Sequence, residues 1–232
     1  MIISHKHKFI FIKTNKTAGT SVEIALSKHC GPEDIITPIG LDDEEIRMEL
    51  GYRGPQNFTG SLNTGLIGGV LRRFKKKKKE KFYNHMSAHE IKDRIEDNIW
   101  NDYYKFCVER NPWDRVVSLY YWRCRNKENP PTIADYVASK AVNSLKRKGI
   151  GLYTIGGKVV VDKVCLFEDL SEDLEEVRKI VGISEPLELP RAKSKFRPIK
   201  KSYQEVFGEE EKVRIARLFS DEIRLFGYTF DK

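Results

Sequence analysis

Apolar and polar residues alternate in blocks along the chain, and the same order of blocks occurs twice. Residues 8–13 (KFIFIK) are a short apolar run, which is typical of a buried strand, and residues 19–29 carry apolar side chains at helical spacing. Later, the aromatic run 103–110 predicts a second strand, and a helix follows over 112–125. Pro112 suits the first position of that helix. The two blocks therefore predict two strand–loop–helix units.

The C-terminal part of the chain continues this alternation. Residues 158–170 predict one or two further strands, and residues 171–183 predict a helix. Residues 209–228 predict one closing amphipathic helix with Val213 and Leu218 facing inward. Strands that alternate with helices indicate a three-layer α/β fold with a mainly parallel central sheet flanked by helices. The length of 232 residues fits a single domain over 1–232.

Three shorter helices are indicated by capping patterns, in which a small polar residue is followed three positions later by an acid. The pairs are Asp42 with Glu45, Ser87 with Glu90, and Thr132 with Asp135. Between the pairs Asp42–Glu45 and Ser87–Glu90, residues 51–81 show no hydrophobic periodicity of a helix or a strand. Six glycines fall between positions 51 and 69 and a lysine tract follows, so we expect a flexible Gly/Lys-rich insertion over 51–81.

The composition, with 40% hydrophobic and 33% charged residues, excludes a fibrous or wholly disordered chain. The net charge of +8 comes mostly from residues 72–81 (RRFKKKKKEK), which hold eight bases and one acid. This tract is open to three interpretations: a solvated run, a surface that steers an anionic acceptor such as an acidic glycan, or a contact to nucleic acid or anionic lipid. A dedicated nucleic-acid reader is not indicated, because no aromatic platform or recognition helix accompanies the tract.

The chain has no apolar run near the roughly 18 residues that a membrane span needs, and no secretory signal at its start. We therefore expect a cytoplasmic protein without a membrane span. The four cysteines, at positions 30, 107, 124 and 165, show no zinc-ligand spacing. Cys107 and Cys165 lie in apolar runs, so we expect buried free thiols.

The first candidate for chemistry is the loop 13–21 (KTNKTAGTS), which lies between a predicted strand and a predicted helix. Backbone N–H groups and the positive end of the helix dipole converge at such a junction. Gly19 permits close backbone approach, and Lys16 adds a mobile positive charge. Hydroxyl donors come from Thr17, Thr20 and Ser21. These features favour a phosphate or sulfate cradle over an ordinary capped helix start, although the loop lacks the Walker A pattern.

The second candidate is the segment 110–120 (RNPWDRVVSLY). Arg110 ends a predicted strand, at the edge where open α/β sheets bind ligands, and Ser118 lies about two turns into the next helix. A guanidinium and a hydroxyl that converge on one anion would suit a second phosphate. The alternative is that Arg110 pairs with a nearby acid and that Ser118 has no role.

Together, the two segments resemble the sulfotransferase family. Residues 16–21 (KTAGTS) look like its 5′-phosphosulfate loop, and residues 110–120 look like its 3′-phosphate motif, Arg-x-Pro-x-x-Arg-x-x-Ser-x-Tyr. Residues 167–170 (FEDL) and 226–228 (FGY) resemble the branch that contains carbohydrate sulfotransferases and bacterial relatives. Asn15 departs from the proline that many members carry there, which predicts a less rigid loop.

The resemblance implies a P-loop-like fold and 3′-phosphoadenosine 5′-phosphosulfate (PAPS) as the sulfuryl donor, with no metal. Lys16 would contact the bridging oxygen and the 5′-phosphosulfate, and Arg110 and Ser118 would hold the 3′-phosphate. The residues that would hold the phosphosulfate with Lys16 are Thr17, Ala18, Gly19, Thr20 and Ser21. A late basic loop with Arg197 would close over the nucleotide. The acceptor would be a hydroxyl, most simply on a carbohydrate or another small molecule.

A base must take the proton of the acceptor hydroxyl, and histidine suits this near neutral pH. Of the five histidines, His85 matches the family position just before a predicted helix and is our candidate base. His89, within that helix, is the alternative. Four aromatic residues of the 112–125 helix are expected to lie mostly in the core; they are Trp113, Tyr120, Tyr121 and Trp122.

Two other functions remain open from the sequence. A nucleotide-dependent phosphotransferase would use the same cradle and would need a metal-binding acid, for which Glu168 and Asp169 are the candidates. We interpret these two acids as a structural turn. A non-enzymatic polyanion-binding protein would act through the tract 72–81.

Overall fold

The computed structural model describes residues 1–59, 81–190 and 201–231. Most of the lysine tract and Arg197 lie outside the described residues. Within the described ranges, every helix is too short or too polar to cross a lipid bilayer.

The strands of the described residues form one five-stranded sheet and one small hairpin. They are β1 (Ile2–Ser4), β2 (Phe9–Ile12), β3 (Ile35–Ile36), β4 (Tyr104–Glu109), β5 (Thr154–Ile155), β6 (Lys158–Val159) and β7 (Lys163–Leu166). The order in the large sheet is β3-β1-β2-β4-β7, and β5 pairs with β6. The ladders β2–β4 and β4–β7 are parallel, whereas β1 is antiparallel to both of its neighbours. All strands of the large sheet except β1 therefore run in one direction, as predicted.

Helices cover both faces of the sheet. They are α1 (Gly19–Ser27), α2 (Leu41–Glu49), α3 (Ala88–Lys92), α4 (Asp97–Asp102), α5 (Pro112–Cys124), α6 (Ile133–Ala138), α7 (Asn143–Arg147), α8 (Ile150–Tyr153), α9 (Leu170–Ile180), α10 (Tyr203–Val206), α11 (Glu209–Leu218) and α12 (Ser220–Phe226), with a 3₁₀ turn at Phe167–Asp169. One hydrophobic cluster joins the sheet to α1 and α9, and a second joins it to α3, α4 and α8. The predicted three-layer α/β architecture is confirmed.

The strand β2 shows how the sheet is buried on both faces. Phe9 and Phe11 pack into the cluster with α1 and α9, and Ile10 and Ile12 pack into the opposite cluster. All four side chains are fully buried. A parallel strand covered on both sides needs a continuous apolar run, which explains why the sequence of this segment is so distinctive.

A third cluster lies beside the sheet, where α5 packs with α6, α10 and α11. Trp113 is buried there, as expected for the core. The predicted single helix over 209–228 is wrong in one respect: it breaks at Phe219, between α11 and α12. Phe219 is buried, whereas Val213, which we expected to face inward, is 42% exposed. Ile215 and Phe219 are buried in the third cluster, and Leu218 and Ile223 pack against it, so the apolar stripe continues through the break.

The helix starts agree with the sequence signals at two of the predicted caps. The Ser87 hydroxyl accepts from the N–H of Glu90, whose carboxylate in turn accepts from the N–H of Ser87. The side chain of Thr132 accepts from the N–H of Asp135. The cap expected at Asp42 is wrong, because α2 already begins at Leu41 with Gly40 as its cap residue.

The described ends of the predicted 51–81 insertion form backbone hydrogen bonds. Gln56 exchanges both backbone hydrogen bonds with Ile36 of β3, at 3.0 Å each. The N–H groups of Lys81 and Phe82 both donate to the carbonyl oxygen of Phe58, at 2.9 Å. The remainder of the insertion lies outside the described residues.

All four cysteines are free thiols. Cys107 and Cys165 are buried, as predicted, and Cys30 is buried as well. Burial raises the pKa of Cys165 to about 12, so its thiol stays protonated at neutral pH. A protonated, buried thiol is a core group and not a nucleophile.

Candidate active site

A cleft of about 740 Å³ opens beyond the carboxyl ends of β2 and β4. This is the edge where open α/β sheets bind their ligands. Among the residues that the structure describes, the cleft is lined by every predicted site residue of the two motifs and by the candidate base. They are Lys16, Thr17, Ala18, Gly19, Thr20, Ser21, His85, Arg110 and Ser118. The structure thus brings three separate parts of the sequence to one cavity. Arg197 lies outside the described residues.

The backbone of the loop between β2 and α1 is shaped to bind an anion. Lys16 and Ala18 have positive φ angles of 66° and 62°. Left-handed residues of this kind turn successive N–H groups toward a common point. The cap residue of α1 is Ala18, whose methyl group cannot cap the helix, so the first N–H groups of α1 are left for a ligand.

Gly19 is needed because α1 begins very close to the end of β2. A Cβ atom at this position would lie 2.9 Å from Cγ of Lys13 and 3.3 Å from the carbonyl oxygen of Thr14. The hydroxyl groups of Thr14 and Thr17 lie 2.7 Å apart and hydrogen-bond to each other. The Thr17 hydroxyl therefore stabilises the loop, in addition to lining the cleft.

The base of the loop is fixed by a buried ion pair between Lys13 and Glu23. The Lys13 ammonium lies 2.8 Å from the Glu23 carboxylate, and neither side chain is more than 3% exposed. Burial alone would raise the pKa of Glu23, but the charges of Lys13 and of the Met1 amino group lower it to about 2. The pair thus stays charged at neutral pH and holds the end of β2 against α1.

His85 is held in one tautomer. Its Nδ1 lies 2.9 Å from the backbone carbonyl oxygen of Lys13. Because a carbonyl can only accept, Nδ1 carries the hydrogen, and Nε2 of the neutral ring carries the lone pair. Burial, followed by the charge of Lys13, lowers the pKa of His85 to about 3. His85 is therefore neutral at physiological pH.

His89 has a different environment. Its side chain is 66% exposed, and its Nδ1 lies 3.7 Å from the carboxylate of Asp93. It is not among the described residues that line the cleft. The structure therefore places His85, and not His89, where a base could meet a substrate.

Arg110 connects the two motifs. Its guanidinium pairs with the carboxylate of Asp114, with Nε 2.8 Å from Oδ2, and stacks 3.9 Å above the ring of Phe167. Nη1 also donates to the carbonyl oxygen of Lys16, at 3.3 Å. Arg110 thus does pair with an acid, but that pair holds the guanidinium at the cleft, where Ser118 also lies.

The helix α5 presents a longer face to the cleft than the motif alone indicated. Ser118, Tyr121, Trp122 and Arg125 follow helical spacing and all line the cavity. The expectation that Tyr121 and Trp122 lie in the core is met in part: both are half-buried and pack against the third cluster, but they also line the cleft. The ammonium of Lys16 lies 5.5 Å from the ring centre of Trp122, and the guanidinium of Arg125 lies 4.6 Å from it. Tyr121 and Trp122 lie three and four residues after Ser118, so helical spacing alone indicates that they share its face of the helix.

The cleft is also lined by residues to which the sequence patterns assign no individual role in ligand binding. They are Lys13, Thr14, Asn15, Gly40, Leu41, Asp42, Asp43, Asn84, Lys148 and Phe167. Lys148 and Asn84 are far from both motifs along the chain and reach the cleft only through the fold.

Asn15 corrects a further expectation. Its N–H donates to the carbonyl oxygen of Lys148 at 2.8 Å. Proline at this position would have no N–H for that bond. The loop therefore gains a tie to the segment before α8, instead of being less rigid.

Neither of the two acids suggested for a metal-dependent phosphotransferase, Glu168 and Asp169, is among the described residues that line the cleft, and Glu168 has partners elsewhere. Oε1 of Glu168 accepts from the N–H of Asn111 at 2.8 Å, and Oε2 accepts from the hydroxyl of Tyr228 at 3.3 Å. Glu168 therefore fixes the start of α5 against the end of the chain. This agrees with its interpretation as part of a structural turn.

The chain is similar to a protein-family model, to an uncharacterised relative and to a solved structure. The model of the Sulfotransferase family matches residues 1–151, a range that includes both motifs and His85. An uncharacterised protein of Archaeoglobus fulgidus is 32% identical over 106 residues, which are 45% of this chain and 88% of that protein. The crystal structure of a sulfotransferase from Alicyclobacillus acidocaldarius shares 17% identity with a TM-score of 0.45, covering 95% of this chain and 96% of that one.

Proposed function

Because the chain belongs to the sulfotransferase family, we propose that it transfers a sulfuryl group from PAPS to a hydroxyl group, with a carbohydrate as the acceptor. The observation that carries this proposal is the position of the Lys16 loop and the Arg110–Ser118 pair in one cleft. Two anion sites at a fixed separation suit a nucleotide that carries an anionic group at each end of its ribose.

The cleft fits such a donor in size and in chemistry. Its volume of about 740 Å³ lies within the range of about 300–1,000 Å³ that is usual for ligand sites. In the proposed complex, Lys16 and the N–H groups of residues 17–21 hold the 5′-phosphosulfate. Arg110 and Ser118 hold the 3′-phosphate, which distinguishes PAPS from ATP.

Lys16 also serves the chemical step. Sulfuryl transfer resembles loose phosphoryl transfer, in which catalysis rests on positioning and on stabilising the charge of the leaving group. The leaving 5′-phosphate gains negative charge as the S–O bond breaks. The Lys16 ammonium and the N–H groups of the loop face that position and stabilise the charge.

His85 acts as the base for the acceptor hydroxyl. Its neutral ring has the lone pair on Nε2, since Nδ1–H is bonded to Lys13. The low pKa of about 3 in the free protein makes it a weak base. An anionic donor in the cleft favours the imidazolium form and raises that pKa, so donor binding strengthens the base before transfer.

The acceptor lies on the His85 side of the cleft. Asn84, Asp42 and Lys148 also line the cleft and offer amide, carboxylate and ammonium groups. Several polar groups in the same cleft as the base suit an acceptor with several hydroxyl groups, as in a carbohydrate. We further propose that residues 1–232 act as one catalytic domain in the cytoplasm, where the free thiols stay reduced.

Incubation with sulfur-labelled PAPS and a panel of sugars, phenols and amines tests the proposal. We expect label transfer to a sugar hydroxyl and the release of adenosine 3′,5′-bisphosphate (PAP), with no transfer from γ-labelled ATP. Transfer from ATP in the presence of magnesium would instead establish a phosphotransferase. Transfer from PAPS to phenols or amines alone would retain the donor and overturn the carbohydrate acceptor.

A further inference from the structure

We propose that Arg115 is a positioning residue that sets the distance between the two phosphate sites, an inference that rests on the proposed function. Arg115 lies in α5 between Arg110 and Ser118, and its side chain is 1% exposed. It is not among the described residues that line the cleft. Any effect of Arg115 on a ligand must therefore act through its neighbours.

The guanidinium of Arg115 binds the 5′-phosphosulfate loop directly. Its Nε donates to the carbonyl oxygen of Asn15 at 2.8 Å, and Nη2 donates to the carbonyl oxygen of Lys148 at 2.9 Å. The N–H of Asn15 donates to that same Lys148 carbonyl. Asn15, the residue just before Lys16, is therefore held at both its backbone carbonyl oxygen and its backbone N–H.

Nη1, at the other end of the guanidinium, forms a hydrogen bond beside the proposed 3′-phosphate site. Nη1 donates to Oε1 of Glu109 at 2.7 Å, and both side chains are almost fully buried. The same oxygen accepts from the N–H of Arg110 at 3.1 Å, and Oε2 accepts from the hydroxyl of Tyr153 at 2.9 Å. Arg115 thus links the residue before Lys16 to the residue before Arg110.

A planar guanidinium is required for this link. It donates in three directions at fixed angles, to Asn15, Glu109 and Lys148, whereas a lysine ammonium is a single point charge. The backbone of Gly149 packs directly against the guanidinium of Arg115. A Cβ atom at Gly149 would overlap Nη1 of Arg115 and lie 2.6 Å from its Nη2. Any side chain at position 149 must displace the guanidinium.

The functional consequence concerns ligands that fill both sites at once. When one phosphate of a bisphosphate is bound, the second binds with a high effective concentration only if the spacing is correct. The advantage of PAP over 5′-AMP measures this effect. Loosening the Arg115 link should reduce that advantage, because two independently mobile sites no longer match one rigid nucleotide.

The test is the ratio of the dissociation constants for 5′-AMP and PAP in Arg115→Lys, measured by calorimetry on protein whose fold is checked by circular dichroism. We expect the ratio to fall about tenfold or more relative to the wild type. The matched control is Arg123→Lys in the same helix. Arg123 donates to the carbonyl oxygen of Ala141 and to the hydroxyl of Ser144 but does not contact the loop. Its ratio should equal that of the wild type.

Gly149→Ala gives a second route, because it displaces the guanidinium without removing a charge. It should lower the same ratio, including in the case that Arg115→Lys does not fold. A wild-type ratio in both folded variants would overturn the positioning role and leave the proposed function intact. A wild-type protein that binds PAP no better than 5′-AMP would overturn the proposed function, and this inference with it.

Discussion

Nδ1 of His85 and the carbonyl oxygen of Lys13 lie 2.9 Å apart, so the candidate base is hydrogen-bonded to the start of the loop that we propose binds the donor. The same Lys13 forms the buried ion pair with Glu23 of α1. The orientation of the base and the shape of the anion cradle therefore depend on one residue.

Replacing His85 with asparagine should separate catalysis from binding. The Asn side chain can retain a donor to the Lys13 carbonyl, and Asn tolerates the positive φ of 60° at this position. It has no equivalent of Nε2. We expect kcat to fall by about 10²–10⁴, with the dissociation constant of PAP nearly unchanged. Steady-state kinetics and calorimetry measure the two quantities. His89→Asn is the control, and equal loss of PAP binding in His85→Asn would remove His85 from the role of base.

The ionisation of His85 should depend on the donor site. Since burial and Lys13 lower its pKa to about 3, its ring should remain neutral as the pH falls from 8 to 5. NMR of ring-labelled histidine follows this titration, with the signal assigned by comparison with His85→Asn. Adding PAP should raise the pKa, because the phosphates favour the cation. A free-protein pKa near the ordinary value of about 6.5 would contradict the buried, hydrogen-bonded ring.

Lys16→Ala should lower kcat far more than it weakens donor binding. The N–H groups of the loop still hold the phosphosulfate, but the mobile charge at the leaving group is lost. Removal of one such stabilising group costs about 10²–10³ in rate. Lys127→Ala, at an exposed position, serves as the control. An unchanged kcat in Lys16→Ala would show that Lys16 is not part of the chemical step.

The buried carboxyl group of Glu222 should make the free energy of unfolding depend on pH. Its side chain is fully buried, and burial, with the charge of Glu109, raises its pKa from 4.5 to about 7. Between these two values, unfolding releases a proton, so the stability of the wild type falls as the pH rises and then levels off above 7. Glu222→Gln should remove this loss and add at most about 2–3 kcal/mol above pH 7.

Urea denaturation across this pH range measures the difference between Glu222→Gln and the wild type. This difference in stability should vanish as the pH falls well below 4.5, the pKa in the unfolded chain, because the carboxyl group is then protonated in both states. Glu210→Gln, at an exposed position of α11, should show no such trend. A pH-independent gain in Glu222→Gln would mean that ionisation of Glu222 is not its cause.

The sequence predicted the long, strongly patterned elements well. The strand β2 was visible because all its residues are apolar, and α5 because Asn111 and Pro112 mark its start. The short strands β1 and β3 were missed, since three and two residues carry too little pattern. The break at Phe219 was missed because the apolar spacing on either side of it fits one continuous helix.

The candidate site was predictable where neighbouring residues act together. Lys16 and Gly19 lie in one loop, and Arg110 and Ser118 lie two turns apart at one helix start. Contacts between segments that are distant in the sequence cannot be predicted in this way. The bond between Asn15 and Lys148 depends on the packing of α7 and α8, which no local pattern specifies.

Titration calorimetry with PAP, 5′-AMP and ATP tests the central claim most directly, namely that Lys16 and Arg110 bind opposite ends of one bisphosphorylated adenosine. Wild-type protein should bind PAP more tightly than either other nucleotide, by about 10-fold or more, as expected for charge-assisted bonds to an added phosphate. Arg110→Ala should reduce PAP affinity to the level of 5′-AMP. Equal affinity of the wild type for all three nucleotides, or a preference for ATP, would contradict the account.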